Sequence, residues 1–168
     1  LPCDINTVSE ISNQHNLELI EDAACALGAK IDNKAVGQFG RLGLFSFHPR
    51  KSITTAEGGC LVTDNDSLAE TCRLLRNHGL TPGHKIVKVC FNYRMTEMQA
   101  TLGNVQMKRL NDLLEYRRKL VDRYFNRLEN CTQLQMPQKA DNHTWQTFMV
   151  VIESDTRSRV VDEMKDQG

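Results

Sequence analysis

The sequence predicts an α/β layered fold from three features. Helical and strand periodicities alternate along the chain, the strand-like runs are short and close on polar residues, and the glycines cluster between them rather than inside them. A length of 168 residues suits one domain, or one domain with a piece of a second. Apolar residues make up 40% and charged residues 25%, ordinary values for a globular protein and wrong for a disordered one. Lys plus Arg and Asp plus Glu both number 21, so the formal charge is zero. A nucleic-acid binder needs a basic excess to displace counterions, so no nucleic-acid partner is expected. No apolar run approaches the ~20 residues that span a bilayer, and no signal peptide opens the chain, so a soluble, cytoplasmic protein away from membranes is expected.

The elements follow in order. Ile5, Val8 and Ile11 stand at helical spacing behind Asp4, a suitable N-cap, and predict a helix over Asp4 to Asn16. Leu17 to Glu21 alternates as a strand with Asp22 at its carboxyl end, and the small residues Ala23 to Ala29 suit a tight helical turn closed by Gly28. Gly37, Gly40 and Gly43 lead into a second strand, Leu42 to Phe47, followed by a polar loop, His48 to Glu57. A third strand, Cys60 to Thr63, opens after Gly58-Gly59. Ser67 and Glu70 form a capping box for a helix that ends at Gly79, and Leu80 to Val89 is an irregular connection. Thr96 and Gln99 form a second capping box, opening a long amphipathic run that needs one long helix or two with a bend. Pro137 marks a boundary, dividing residues 1–137 from a small unit over 138–168 that holds a buried strand, Gln146 to Glu153, and a charged helix, Thr156 to Gln167.

The six cysteines contain no C-x-x-C pair, their closest spacing being twelve residues, and the five histidines do not fall at ligand spacings beside them. No metal is expected, and the cysteines are read as reduced, several of them as small core residues. Two positions carry chemistry on placement alone. Asp22 ends a strand, where α/β sheets bind ligands. Lys51 follows the strand Phe45-Ser46-Phe47 and precedes the hydroxyl-rich Ser52-Ile53-Thr54-Thr55, a loop read as poor packing material but suited to an anion. The glycines at 37, 40 and 43 do not make G-x-G-x-x-G between a strand and a helix, which excludes a Rossmann dinucleotide site.

Several ordered motifs then carry a resemblance. Ile20-Glu21-Asp22-Ala23-Ala24-Cys25-Ala26-Leu27-Gly28-Ala29, Val36-Gly37-Gln38-Phe39-Gly40, Phe45 to Gly59, Leu75 to Gly79 and Asn92 to Ala100 closely resemble the DegT/DnrJ/StrS sugar aminotransferases. These are pyridoxal-phosphate (PLP) enzymes of the aspartate-aminotransferase fold. The resemblance implies the central part of the PLP-binding large domain, in α/β/α layers, over 1–137, and the beginning of a small C-terminal α+β domain over 138–168. It implies that Lys51 carries PLP as a Schiff base and that Asp22 pairs with the pyridine nitrogen. Ser46 matches a phosphate-binding hydroxyl, and Asn92 an asparagine that reaches the phosphate in the partner subunit's site. Each role suits its side chain: a carboxylate keeps the ring nitrogen protonated, a lysine can move a proton, and hydroxyls satisfy a phosphate.

The implied reaction passes an amino group, typically from glutamate, to a keto sugar carried on a nucleotide, in a homodimer. Lysine rather than histidine at position 51 implies transamination over the family's dehydrase branch. Two departures bear on the site. Cys25 stands where the family often has a glutamine that hydrogen-bonds the ring oxygen, and a thiol is a weak donor. Ala56 stands where glycine is common. Family members are about twice this length, and the chain opens on Leu1 and stops at Gly168, so a fragment with little activity of its own is expected. The alternative from another class is a non-catalytic, dimer-forming piece of this fold that does not bind PLP.

Overall fold

A computed structural model describes residues 2–168. Helix α1 (Ile5–Gln14) starts on Asp4, whose side chain accepts from the Thr7 amide at 3.2 Å. The chain then turns through Asn16, in the left-handed region at φ 52°, and enters β1 (Ile20–Asp22). This strand begins later than the alternation from Leu17 suggests. The Leu17 amide donates to the Ser12 carbonyl at 2.8 Å and its own carbonyl accepts from the Ser12 hydroxyl, which commits Leu17 to the helix end.

Ala23 to Ala29 forms successive turns rather than a helix, with Ala26 bonded to Ala23 and Ala29 to Ala26, and closes at Gly28 with φ +87°. A two-stranded hairpin that periodicity does not suggest follows, β2 (Lys30–Ile31) against β3 (Lys34–Ala35). Its two-residue turn is Asp32-Asn33 with φ 49° and 65°, the paired left-handed geometry that Asp and Asn tolerate.

β4 (Leu42–Ser46) is the centre of the main sheet, parallel to β1 on one side and antiparallel to β5 (Gly59–Val62) on the other. The register sets Asp22 beside Leu44, so Asp22 and Ser46 end their strands at the same edge of the sheet. Gly43 is required there: a Cβ at this position would lie 2.3 Å from the Gly37 carbonyl oxygen.

Helix α2 (Asp66–Arg76) is capped by Asn65, whose side chain accepts from Leu68 at 2.9 Å, and not by Ser67. Ser67 lies inside the first turn, where its carbonyl accepts from the Thr71 hydroxyl. The long amphipathic run resolves into two helices, α3 (Glu97–Met107) and α4 (Leu110–Leu128), broken at Lys108 and Arg109. The Thr96–Gln99 box is complete at the head of α3. β6 (Leu134–Gln135) pairs antiparallel with β7 (Val151–Ile152), and α5 (Ser154–Asp166) ends the chain.

The expected buried strand over Gln146 to Glu153 is thus two paired residues, and Met149, Val150 and Val151 are exposed because β7 meets only β6. The core forms where α4 crosses the turn after β1. Leu114 and Val121 are buried there with Ala23, Ala29 and Trp145, while Ile53 is sealed in its loop. Phe125 meets Trp145 edge-on at 6.0 Å and Phe148 at 5.6 Å. The cysteines do not share this core: Cys3, Cys25 and Cys60 are exposed and the other three half-buried, all six free. Among the described residues no helix is long and apolar enough to cross a membrane.

Candidate active site

The edge of the sheet is shaped by a residue that no chemical motif singled out. Glu21, between two exposed neighbours, points its carboxylate inward and is buried. Oε2 accepts from Gly37 at 2.8 Å, and Oε1 accepts from Gly40 at 2.7 Å and from Phe39. One carboxylate thereby gathers three amides of the loop that feeds β4. The available signal was an acid inside a strand followed by Gly-x-x-Gly, a pattern whose amides can converge on an anion. Because Glu21 faces inward, strand alternation turns Asp22 outward to the open edge, where it is exposed and Oδ1 accepts from the Ala24 amide at 3.1 Å.

The structure brings Lys51 to this edge. Its Nζ lies 2.8 Å from Cys25 Sγ, three residues beyond Asp22. Ser46 closes β4 nearby in the register, and its Oγ accepts from the His48 amide at 3.3 Å. Asp22, Cys25, Ser46 and Lys51 therefore belong to one end of the β1–β4 pair and the loops that leave it. Asn92 stands apart. Its backbone bridges Asn77, and its Oδ1 accepts from the amide and Nε of Arg94 at 3.3 and 2.9 Å.

The Lys51 loop is firmly held, and its hydroxyls are used for that purpose rather than left open to an anion. The Phe47 carbonyl accepts from the Thr55 amide and the Thr54 hydroxyl, both at 3.0 Å, while the Thr55 hydroxyl donates to the Glu57 carbonyl at 2.9 Å. Ile53 and Thr55 are each 1% exposed, the reverse of poor packing material. Ala56 takes the left-handed φ of 68° that glycine adopts without cost. Gln106 of α3 grips Thr54 twice, accepting from its amide at 3.1 Å and donating to its carbonyl at 2.6 Å.

Distant residues complete the clamp, and sequence reading missed them because nothing local marks them. Gln146 accepts from the Ser52 hydroxyl at 2.9 Å and donates to the Arg50 carbonyl, on either side of Lys51. Thr144 reaches the Cys25 carbonyl at 3.5 Å. Between them Trp145, at φ 53°, is 5% exposed and stacks on His143 at 4.1 Å. Burial pushes the His143 imidazole below its ordinary value, and its Nδ1 accepts from the Trp145 amide at 2.8 Å. Of the remaining aromatics, Tyr93 is exposed and Phe47 half-buried.

Two cavities open elsewhere. One of about 290 Å³ lies between α4 and residues 139–141 beside Trp145; the other, about 520 Å³, is lined by Phe47, Thr55, Arg76, Arg94 and the inner side of α3. Lys51 and Asp22 line neither. Among the described residues no group of three or more His, Cys, Asp and Glu side chains is placed to hold a metal ion.

Comparison with known proteins puts this geometry in a family. MJ1066, an uncharacterized protein of Methanocaldococcus jannaschii, is 32% identical over 185 residues, covering 99% of this chain and 48% of its own length. GDP-perosamine synthase of Caulobacter vibrioides is 42% identical over 128 residues, covering 75% of this chain and 34% of the enzyme. Among solved structures, Helicobacter pylori PseC, an aminotransferase involved in the biosynthesis of pseudoaminic acid, matches with a TM-score of 0.92 at 26% identity, over 99% of this chain and 47% of that one. The E. coli GDP-4-keto-6-deoxy-D-mannose-3-dehydratase with bound hydrated PLP matches at 0.87 and 26%, over 99% and 49%. The chain spans about half the length of these relatives, or less, and over that span it has their α/β fold. Its residues 1–168 match the family description from end to end. The chain belongs to the DegT/DnrJ/EryC1/StrS aminotransferase family.

Proposed function

We propose that this chain carries the lysine side of a PLP-dependent site that transfers an amino group to a nucleotide-linked keto sugar. The observation that supports it is the contact of Lys51 Nζ with Cys25 Sγ, which joins the lysine to the strand end bearing Asp22. The donor set fits the cofactor: an amine for its aldehyde, an exposed carboxylate for its ring nitrogen, and a strand-end hydroxyl for its phosphate. When bound, PLP supplies an electron-accepting ring that eases removal of a proton from the amine-bearing carbon.

The chain's own residues do the rest. Lys51 Nζ would take up the proton from the substrate carbon and give it back, acting as base and then acid. Asp22 holds the proton on the ring nitrogen. The Ser46 hydroxyl would hold the phosphate, and Cys25 would orient Lys51 and contribute to the cofactor's binding. The loop clamp at Thr54 and Gln146 limits how far Lys51 can wander, which preserves the proton path.

The same reading takes glutamate as amino donor and a homodimer as the working form, with Asn92 serving the partner's phosphate. On the same reading residues 138–168 begin the smaller domain; its strand β7 pairs with β6, which lies just ahead of that boundary, and neither joins the main sheet. A second reading, a fold-retaining piece that does not take PLP, is favoured by one observation: Asp22 and Cys25 are both exposed rather than enclosed.

Borohydride trapping separates them. PLP is added, the protein is reduced, and its peptides are mapped by mass. A pyridoxyl adduct on Lys51, lost in Lys51→Ala, is expected. Adducts scattered over surface lysines, with Lys51 unmodified, would overturn the assignment.

A further inference from the structure

Cys25 and Lys51 invite a second kind of chemistry. The separation of 2.8 Å between Sγ and Nζ is shorter than an ordinary N–H···S contact, and it joins residues 26 apart in the chain. Cys25 is exposed and Lys51 half-buried, so a small oxidant can reach the sulfur while the amine waits beside it. Both side chains sit on anchored backbone. The Cys25 carbonyl is met by Thr144, and Arg50 and Ser52 are held by Gln146. An oxidised Cys25 would therefore meet this amine before any other nucleophile in the chain.

We propose that Cys25 and Lys51 form an oxidation-dependent covalent switch, an S–N link made by peroxide and undone by thiols. The Cys25 sulfur attacks one oxygen of hydrogen peroxide, breaking the O–O bond and giving a sulfenic acid and water. The Lys51 amine, in its neutral form, then attacks the sulfenic sulfur. The S–N bond forms, the S–O bond breaks, and hydroxide leaves with the amine proton as a second water. Sulfur is oxidised by two electrons and peroxide is reduced by two. A thiol reverses the link by attacking sulfur, releasing the amine and leaving a disulfide that a second thiol resolves. The link ties up the amine, so the oxidised chain can neither condense with an aldehyde nor move a proton at Nζ. That consequence rests on the role proposed for Lys51; the link itself does not.

The test uses the protein without cofactor. It is treated with hydrogen peroxide at mildly alkaline pH, its remaining thiols are blocked, and its mass and peptides are measured. The expected product has lost two hydrogen atoms, joins the Cys25 and Lys51 peptides, and returns to the starting mass with dithiothreitol. Lys51→Arg, which keeps the charge but offers a poor nucleophile, should show oxygen added at Cys25 instead, and Cys25→Ser should show neither product. Wild-type protein that gains oxygen at Cys25 with the Lys51 amine still free to acylation would overturn the proposal, with no variant needed. A parallel measurement reads PLP capture, which should fall in proportion to the linked fraction and recover with dithiothreitol. If reduced protein captures no PLP at Lys51 while the linked peptides form, the aminotransferase reading fails and the switch stands.

Discussion

At the residue scale, Glu21 and Asp22 show how two neighbouring acids can have opposite fates. Inward-facing Glu21 takes three loop amides, and outward-facing Asp22 is left for the open edge. Glu21→Ala strands those amides, and at ~1–3 kcal/mol for a donor left unmet, with water recovering part of it, the loss should be roughly 2–4 kcal/mol. Urea unfolding checks this, and a midpoint close to wild type would refute it. His143 gives a pH signature. Burial lowers its folded value below the ordinary 6.5, so its contribution is complete above that value and is lost as pH falls through the lower, folded one. Trp145, the only tryptophan, reports the change by fluorescence. Its unfolding midpoint should drop on acidification, and less so in His143→Asn, which keeps an acceptor for the Trp145 amide. Asp22 and Lys51 were legible by place, one ending β1 and the other in the loop that leaves β4. Gln146 and Thr144 were not, since amide and hydroxyl clamps follow no period and act across most of the chain.

At the element scale, local signals succeeded where one residue had no competitor. Thr96 stands alone ahead of α3 and forms with Gln99 the box their spacing announces. Before α2, Asp64, Asn65, Asp66 and Ser67 can all cap, and Asn65 wins two residues ahead of the expected site. The Asp32-Asn33 turn was readable from residue type, but two-residue strands carry no period to flag it. The Thr96 box also reaches the lysine loop, because Gln99 Nε2 donates to the Glu57 carbonyl at 3.1 Å. Thr96→Ala should cost about 1 kcal/mol and loosen both ends of that link. Hydrogen exchange should quicken at Gln99 and at Thr55 through Gly58; unchanged exchange in the loop would show that α3 does not brace it.

At the scale of the whole molecule, surface outruns mass. The accessible area is 12656 Å², against about 8,400 Å² for a compact monomer of this mass. Large apolar side chains contribute to it: Val89 is 99% exposed, Met98 82% and Phe91 66%. Patches of this kind seek cover. Sedimentation should therefore show self-association that strengthens with concentration, and Met98→Glu with Val105→Glu should weaken it. A monomer at every concentration would contradict this. The α/β class was legible because its alternating periods are global, whereas exposure of β7 was not, since an apolar run looks alike whether its partner is present or absent.

The clamp of Gln146 on both flanks of Lys51 has a further consequence, for the order in which the protein is made. Arg50 and Gln146 lie 96 positions apart. At ribosomal speeds of ~5–20 residues per second, roughly 5 to 20 s separate the birth of the lysine loop from that of its last anchor. During that interval the nascent loop has its own threonine bonds and, once α3 emerges, Gln106, but nothing yet to fix Arg50 and Ser52. The Lys51 amine is thus set in its final place only after the sheet edge that it faces has been built.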